Sequence, residues 1–143
     1  MCRYNLNLYS GTTITVNSET ILYSGTSTAA TNANVLMLGF TFKENCPDLR
    51  NTKVVDIVKA LQSYNTKVDV FDPWINLAEA DAEYGLKCLS QLPEDGQYSA
   101  IVLAVGHLQF VELGEVGIKA CSKANSVLFD VKGVLNEKAD GRL

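Results

Sequence analysis

The sequence predicts an α/β domain, a mainly parallel sheet with helices on both faces. Two observations carry that class. Short continuous apolar runs, such as "VLMLGF" from Val35 and "YSAIVLAV" from Tyr98, have the composition of strands covered on both sides. They alternate with segments whose apolar residues fall at helical spacing, which is how strands joined by crossover helices are written. The pattern is Rossmann-like, with no internal repeat.

The elements follow in order. Residues 1–33 form a leader rich in Thr, Ser and Asn, distinct from a domain spanning 34–143. Two β-favouring runs flank "NSE" in the leader, which suits either a hairpin or a loosely ordered segment. "VLMLGF" is the first strand of the domain. "NTKVVDIVKALQSYN" then places Val54, Val55, Val58 and Leu61 on one helix face, with Asn51 available as a cap. "KVDVFDP" is a second strand closed by Pro73, and "INLAEADAEYG" a short helix stopped by Gly85. "LKCL" reads as a brief strand and "YSAIVLAV" as the most buried one. "FVELGEVGIKACS" is a helix weakened by two glycines, and "SVLFDVKG" a last strand.

The bulk numbers narrow the function classes. The 143 residues are 47% hydrophobic and 20% charged, which is one globular domain's worth of chain. A formal charge of −4 argues against broad nucleic-acid binding, which needs a positive surface. Cys2, Cys46, Cys88 and Cys121 form no CxxC pair, so neither a metal site nor a disulfide framework is expected. No apolar run approaches the roughly 20 residues of a membrane helix, and "MCRYNLNLYS" lacks a signal-peptide layout. The expectation is a cytoplasmic protein with reduced thiols.

In open α/β sheets, ligands bind beyond the carboxyl ends of the strands. The residues that follow the predicted strands are Lys43, Asp72, Gly106 with His107, and Lys132. Two lysines and a histidine at one edge of an acidic protein suit an anion, and phosphate is the usual anion of this fold. Each residue also has a plainer reading: the lysines as solvated surface groups, His107 as a helix cap, and Asp72 as a turn former before Pro73. GxGxxG does not follow the first strand, where "GFTFKEN" stands, and GxxxxGK[ST], GxSxG and HExxH do not occur. A cysteine nucleophile paired with His107, from Cys46 or Cys121, is open but not favoured by spacing.

"GFTFKENCPDLRNTKVVDIVKAL" resembles the start of the C-terminal, UDP-binding domain of the UDP-glucose/GDP-mannose dehydrogenase family. "VFDP", "YSAIVLAVGHLQF" and "LFDVKGVL" resemble later segments of that domain, so the likeness runs from about Asn34 to Leu135. The wording is nearest to bacterial UDP-N-acetyl-hexosamine 6-dehydrogenases, NAD-dependent enzymes that feed surface polysaccharide synthesis.

The resemblance implies roles for several side chains. Phe42 and Lys43 contact the UDP-sugar. Arg50 reaches the NAD pyrophosphate, where a guanidinium grips two oxygens. Lys132 stands where many members carry a substrate-touching arginine, keeping the charge without the fork. The family's NAD domain and its cysteine-bearing Gly-Ser-Cys-Phe-Pro segment have no counterpart here, so no catalytic residue is assigned. A truncated gene product, a fragment or a fused remnant is expected. Three readings follow from this: a UDP-sugar-binding module inactive alone, an enzyme completed by a separate chain carrying the missing domains, or an association domain that keeps only the fold. A homo-oligomer is compatible with each.

Overall fold

The computed structural model describes residues 5–7, 12–16, 19–23, 33–94, 96–135 and 139–142. In the leader, β1 (Asn5–Asn7), β2 (Thr12–Val16) and β3 (Glu19–Tyr23) form a three-stranded antiparallel sheet, with β2 central. The β2–β3 register runs from Thr12 opposite Tyr23 to Val16 opposite Glu19. Apart from Ala33, the other leader residues lie outside the described set.

The second sheet has six strands: β4 (Asn34–Leu38), β5 (Lys67–Phe71), β6 (Cys88–Leu89), β7 (Tyr98–Leu103), β8 (Ser122–Asp130) and β9 (Gly141–Arg142). Their order is β6-β5-β4-β7-β8-β9, and every neighbouring pair is parallel. The chain starts in the middle, works outward to one edge, returns, and works outward to the other. This is the doubly wound Rossmann-like order, whose switch point lies between β4 and β7.

Alternation along β4 explains the layering, because successive side chains point to opposite faces. Val35 and Met37 enter one core with Val54, Val58 and Leu61 of α1 (Val54–Ser63) and Ala80 of α2 (Leu77–Tyr84). Leu36 and Leu38 enter the other with Phe110 and Ile118 of α3 (Leu108–Lys119) and Leu128 of β8. These four of the five β4 residues are fully buried, as a central parallel strand requires.

The helix ends follow local chemistry. Asn76 Oδ1 accepts from the N–H groups of Ala78 and Glu79 to start α2, and Gly85 ends it in the left-handed region at φ 65°. The start of α1 departs from the sequence reading. Asn51 itself adopts φ 60°, and Thr52 Oγ1 accepts the Val54 N–H instead. Thr52 Oγ1 also donates to the Phe40 carbonyl, tying the helix start to the end of β4. Helix α3 begins at Leu108, two residues before the predicted segment, and is kinked at Gly114, where φ is 67° and ψ 178°. β8 starts four residues before the predicted run, with a register shift against β7 between Tyr98 and Ala100. β9 had no counterpart in the sequence reading: two residues present no periodicity.

Candidate functional site

The residues beyond the carboxyl ends of β4, β5 and β7 meet around one buried carboxylate. Asp72, directly after β5, is 3% exposed. Its Oδ2 accepts from the N–H of Phe40 at 2.7 Å, the N–H of Thr41 at 2.9 Å, and His107 Nε2 at 2.9 Å. Its Oδ1 accepts from the Trp74 N–H at 2.7 Å, so Asp72 is a turn former as well as an anchor. Burial pushes this carboxyl up, but the hydrogen bonds from His107, Phe40, Thr41 and Trp74 outweigh it and hold the group below its ordinary value.

His107 is fully buried and occupies the N-cap position of α3, yet its ring does not cap the helix. Its Nδ1 accepts the Asn45 N–H at 2.9 Å, which leaves the ring proton on Nε2, facing Asp72 and Thr41 Oγ1 at 3.1 Å. The cap is supplied by Asn45, whose Oδ1 accepts the Leu108 N–H at 2.9 Å. His107 therefore contributes no positive charge to an anion site, contrary to the gathering of two lysines and a histidine that the sequence suggested. Nor is it a base for a cysteine. Both ring nitrogens are engaged, and Cys121 is buried at the amino end of β8 with its thiol pushed up by burial.

These bonds fix the backbone of the segment 39–53. Gly39 makes the closest approach: a Cβ there would lie 2.6 Å from Val105 Cβ and 2.8 Å from Val105 N, and its φ of 87° disfavours any other residue. Phe42 N–H donates to the Asp48 carbonyl at 2.8 Å, and Tyr84 Oη donates to the Leu49 carbonyl at 2.6 Å. The Tyr84 ring meets Phe40 edge-on at 5.4 Å.

The four residues given ligand roles by the resemblance, Phe42, Lys43, Arg50 and Lys132, all lie on this edge and are exposed. Phe42 is 55% exposed, and Lys43 follows it on the surface. Lys132, after β8, approaches Glu44 with Nζ 3.9 Å from Oε1, which brings it beside the Phe42–Lys43 segment. The β8 turn is built like the β5 turn: buried Asp130 accepts from the N–H groups of Lys132, Gly133 and Leu135 at 2.8–3.2 Å. Arg50 is held by Asp48, with Nε and Nη2 each 3.0 Å from a different carboxylate oxygen. Hydrogen bonding to Asp48 raises the guanidinium pKa, and the charges of Glu79 and Glu83 of α2 add to it. Nη1 has no protein acceptor among the described residues, leaving donors for an incoming anion.

Among the described residues, no group of three His, Cys, Asp or Glu side chains is placed to hold a metal, and no helix is long and apolar enough to cross a membrane. A depression of about 320 Å³ opens beyond β5 and β6, lined by Phe71, Pro73, Ile75, Leu77 and Leu89. Thr41, Asn45, Thr52 and Tyr84 had no assigned part in sequence. Only Thr52 carried a local signal, a hydroxyl residue just before an apolar helix.

The model of the UDP-glucose/GDP-mannose dehydrogenase family, UDP binding domain, matches residues 36–137. The chain belongs to this family. It is 53% identical over 112 residues to a UDP-N-acetyl-D-glucosamine 6-dehydrogenase of Pseudomonas aeruginosa, and 49% identical over 112 residues to one of Salmonella typhi. Each match takes in 78% of this chain and 26% of the relative, so the chain spans about a quarter of the length of these proteins. In fold, it is similar to a UDP-D-ManNAc dehydrogenase structure from Pyrococcus horikoshii, with a TM-score of 0.63 at 20% identity, covering 80% of this chain and 26% of that one. A UDP-N-acetyl-mannosamine dehydrogenase from S. aureus gives 0.56 at 20% identity, covering 77% and 25%. The family's UDP-binding domain is thus the Rossmann-like unit described above.

Proposed function

We propose that this domain holds the nucleotide end of a UDP-sugar within an NAD-dependent UDP-sugar 6-dehydrogenase, serving surface polysaccharide synthesis in the cytoplasm. The observation that carries the reading is the position of Phe42 and Lys43: outward-facing, on a hydrogen-bonded loop, at the switch point of a doubly wound sheet. In this reading Lys43 and Lys132 meet phosphate or sugar oxygens, and Phe42 covers an apolar part of the substrate. Arg50 meets the NAD pyrophosphate with the donors that Asp48 leaves available. NAD would supply the hydride acceptor for two successive oxidations of the sugar's primary alcohol to a carboxylate. This chain's share is positioning, a proximity effect that lowers the barrier without any proton transfer by its own residues.

Calorimetric titration of the chain with UDP and with UDP-N-acetylglucosamine tests the reading. Heat of binding that is weakened by Lys43→Ala is expected, and no heat at millimolar ligand would overturn it. A second reading has one observation of its own, the outward apolar side chains of α3, with Val116 83% and Leu108 54% exposed. They suit a domain that associates with another chain. If Lys43→Ala and Arg50→Ala both leave nucleotide binding unchanged, the association reading takes precedence.

A further inference from the structure

We infer that His107 is a positioning residue for the Phe42–Lys43 segment, holding it through Asn45 as a neutral imidazole with its proton on Nε2. The inference rests on the reading of Phe42 and Lys43 as nucleotide-sugar contacts. The backbone on either side of these two residues is anchored from neighbouring strands. Phe40 and Thr41 are held from the end of β5 by Asp72, and Asn45 from the end of β7 by His107 Nδ1. Within the segment, Thr41 Oγ1 donates to the Lys43 carbonyl at 3.3 Å. What remains at the apex is the pair of side chains that point into solvent.

A purely structural role would not need this chemistry. A buried polar pair is costly to desolvate, and an apolar side chain of similar volume fills such a space as well or better. The ring instead presents an acceptor and a donor in different directions, tying its own turn to two loops that lie 62 and 35 residues away in sequence. The acceptor meets an N–H in a residue at φ 54°, a conformation that asparagine tolerates and that turns the chain back toward α3.

Two conservative variants separate the two ends of the ring. In His107→Gln the amide reaches as far as Nε2 and keeps a donor for Asp72, but nothing accepts from Asn45. In His107→Asn the amide oxygen takes the place of Nδ1 and keeps Asn45, while the Asp72 end is lost. With the full chain, amide hydrogen exchange at Asn45, thermal unfolding and UDP titration are measured for each. In His107→Gln, exchange at Asn45 should accelerate about tenfold and UDP affinity fall by about the same factor, the equivalent of one hydrogen bond. In His107→Asn, Asn45 protection and UDP affinity should stay within about twofold of wild type while the melting temperature falls. Nitrogen-15 spectra of the wild-type ring should show the neutral Nε2–H form. Equal loss of Asn45 protection in both variants, unchanged protection in His107→Gln, or a ring protonated at Nδ1 at neutral pH would overturn the inference. Absence of UDP binding by wild type would instead strike the functional reading, while the exchange data still decide whether His107 positions the segment.

Discussion

At the amino edge of the parallel sheet, polar side chains satisfy one another. Tyr98 Oη donates to Asp69 Oδ2 at 2.8 Å, Lys67 Nζ lies 3.5 Å from the same oxygen, and Ser122 Oγ meets Ser126 Oγ at 2.6 Å. At the carboxyl edge, buried carboxylates are directed at backbone instead. Asp72 and Asp130 each accept from three main-chain N–H groups of the turns that follow their strands or a neighbouring strand. A pair of side chains ties two strands together, whereas a carboxylate bound to successive N–H groups fixes the path of a loop. The edge that carries Phe42, Lys43 and Lys132 is the one whose loops are shaped in this way.

The contrast is broken most severely at Asp72. Asp72→Ala leaves three N–H groups and the His107 ring without their acceptor, and a loss of about 3–5 kcal/mol is expected in urea unfolding. Tyr98→Phe, at the amino edge, removes one hydrogen bond and should cost about 1 kcal/mol in the same measurement. Similar losses at the two sites would erase the distinction.

Gly39→Ala comes next. The new methyl meets Val105 at the switch point from a left-handed backbone, and about 2–3 kcal/mol should be lost in unfolding. Gly114→Ala, at φ 67° and ψ 178° with nothing within 4 Å of a Cβ, keeps the backbone cost but meets no neighbour, and should lose about 1 kcal/mol less.

The acid limb sharpens the comparison further. Asp72 ionises below its ordinary 3.8 in the folded state, so its contribution is complete above that value and is lost as pH falls through the folded value. Asp72→Asn should flatten the dependence of stability on pH below about 4. An acid limb as steep as wild type would place the titration elsewhere.

The smallest change in stability is expected for Asp48→Ala, because the Asp48–Arg50 pair is on the surface. Its effect should be seen in nucleotide binding, as a reorientation of Arg50, while urea unfolding remains near wild type.

The sheet and its helices were legible because burial writes itself locally. β4 and β7 are apolar runs, α1 has a periodic face, and Gly85 marks the end of α2 in any reading. The exposed candidate residues Phe42, Lys43, Arg50 and Lys132 were named from the family resemblance, with Lys43 and Lys132 also following from the strand-end rule. The scaffold beneath them was not. His107 and Asn45 are 62 positions apart, and Asp72 and Phe40 are 32 apart, so neither pairing has a local signature. The sequence offers Asn51 as a cap for α1, but the backbone path from Phe40 turns it away and brings Thr52 Oγ1 to the Val54 N–H instead, a tertiary effect with no local signature.

The fork between Asp48 and Arg50 has a consequence for how a charged ligand arrives. Its two charges cancel at a distance, and the chain as a whole carries −4, so a dianion approaching from solution feels mild repulsion until it is within contact range. Added electrolyte shortens that repulsive reach, so capture should quicken with ionic strength, whereas a site that draws anions from afar would slow.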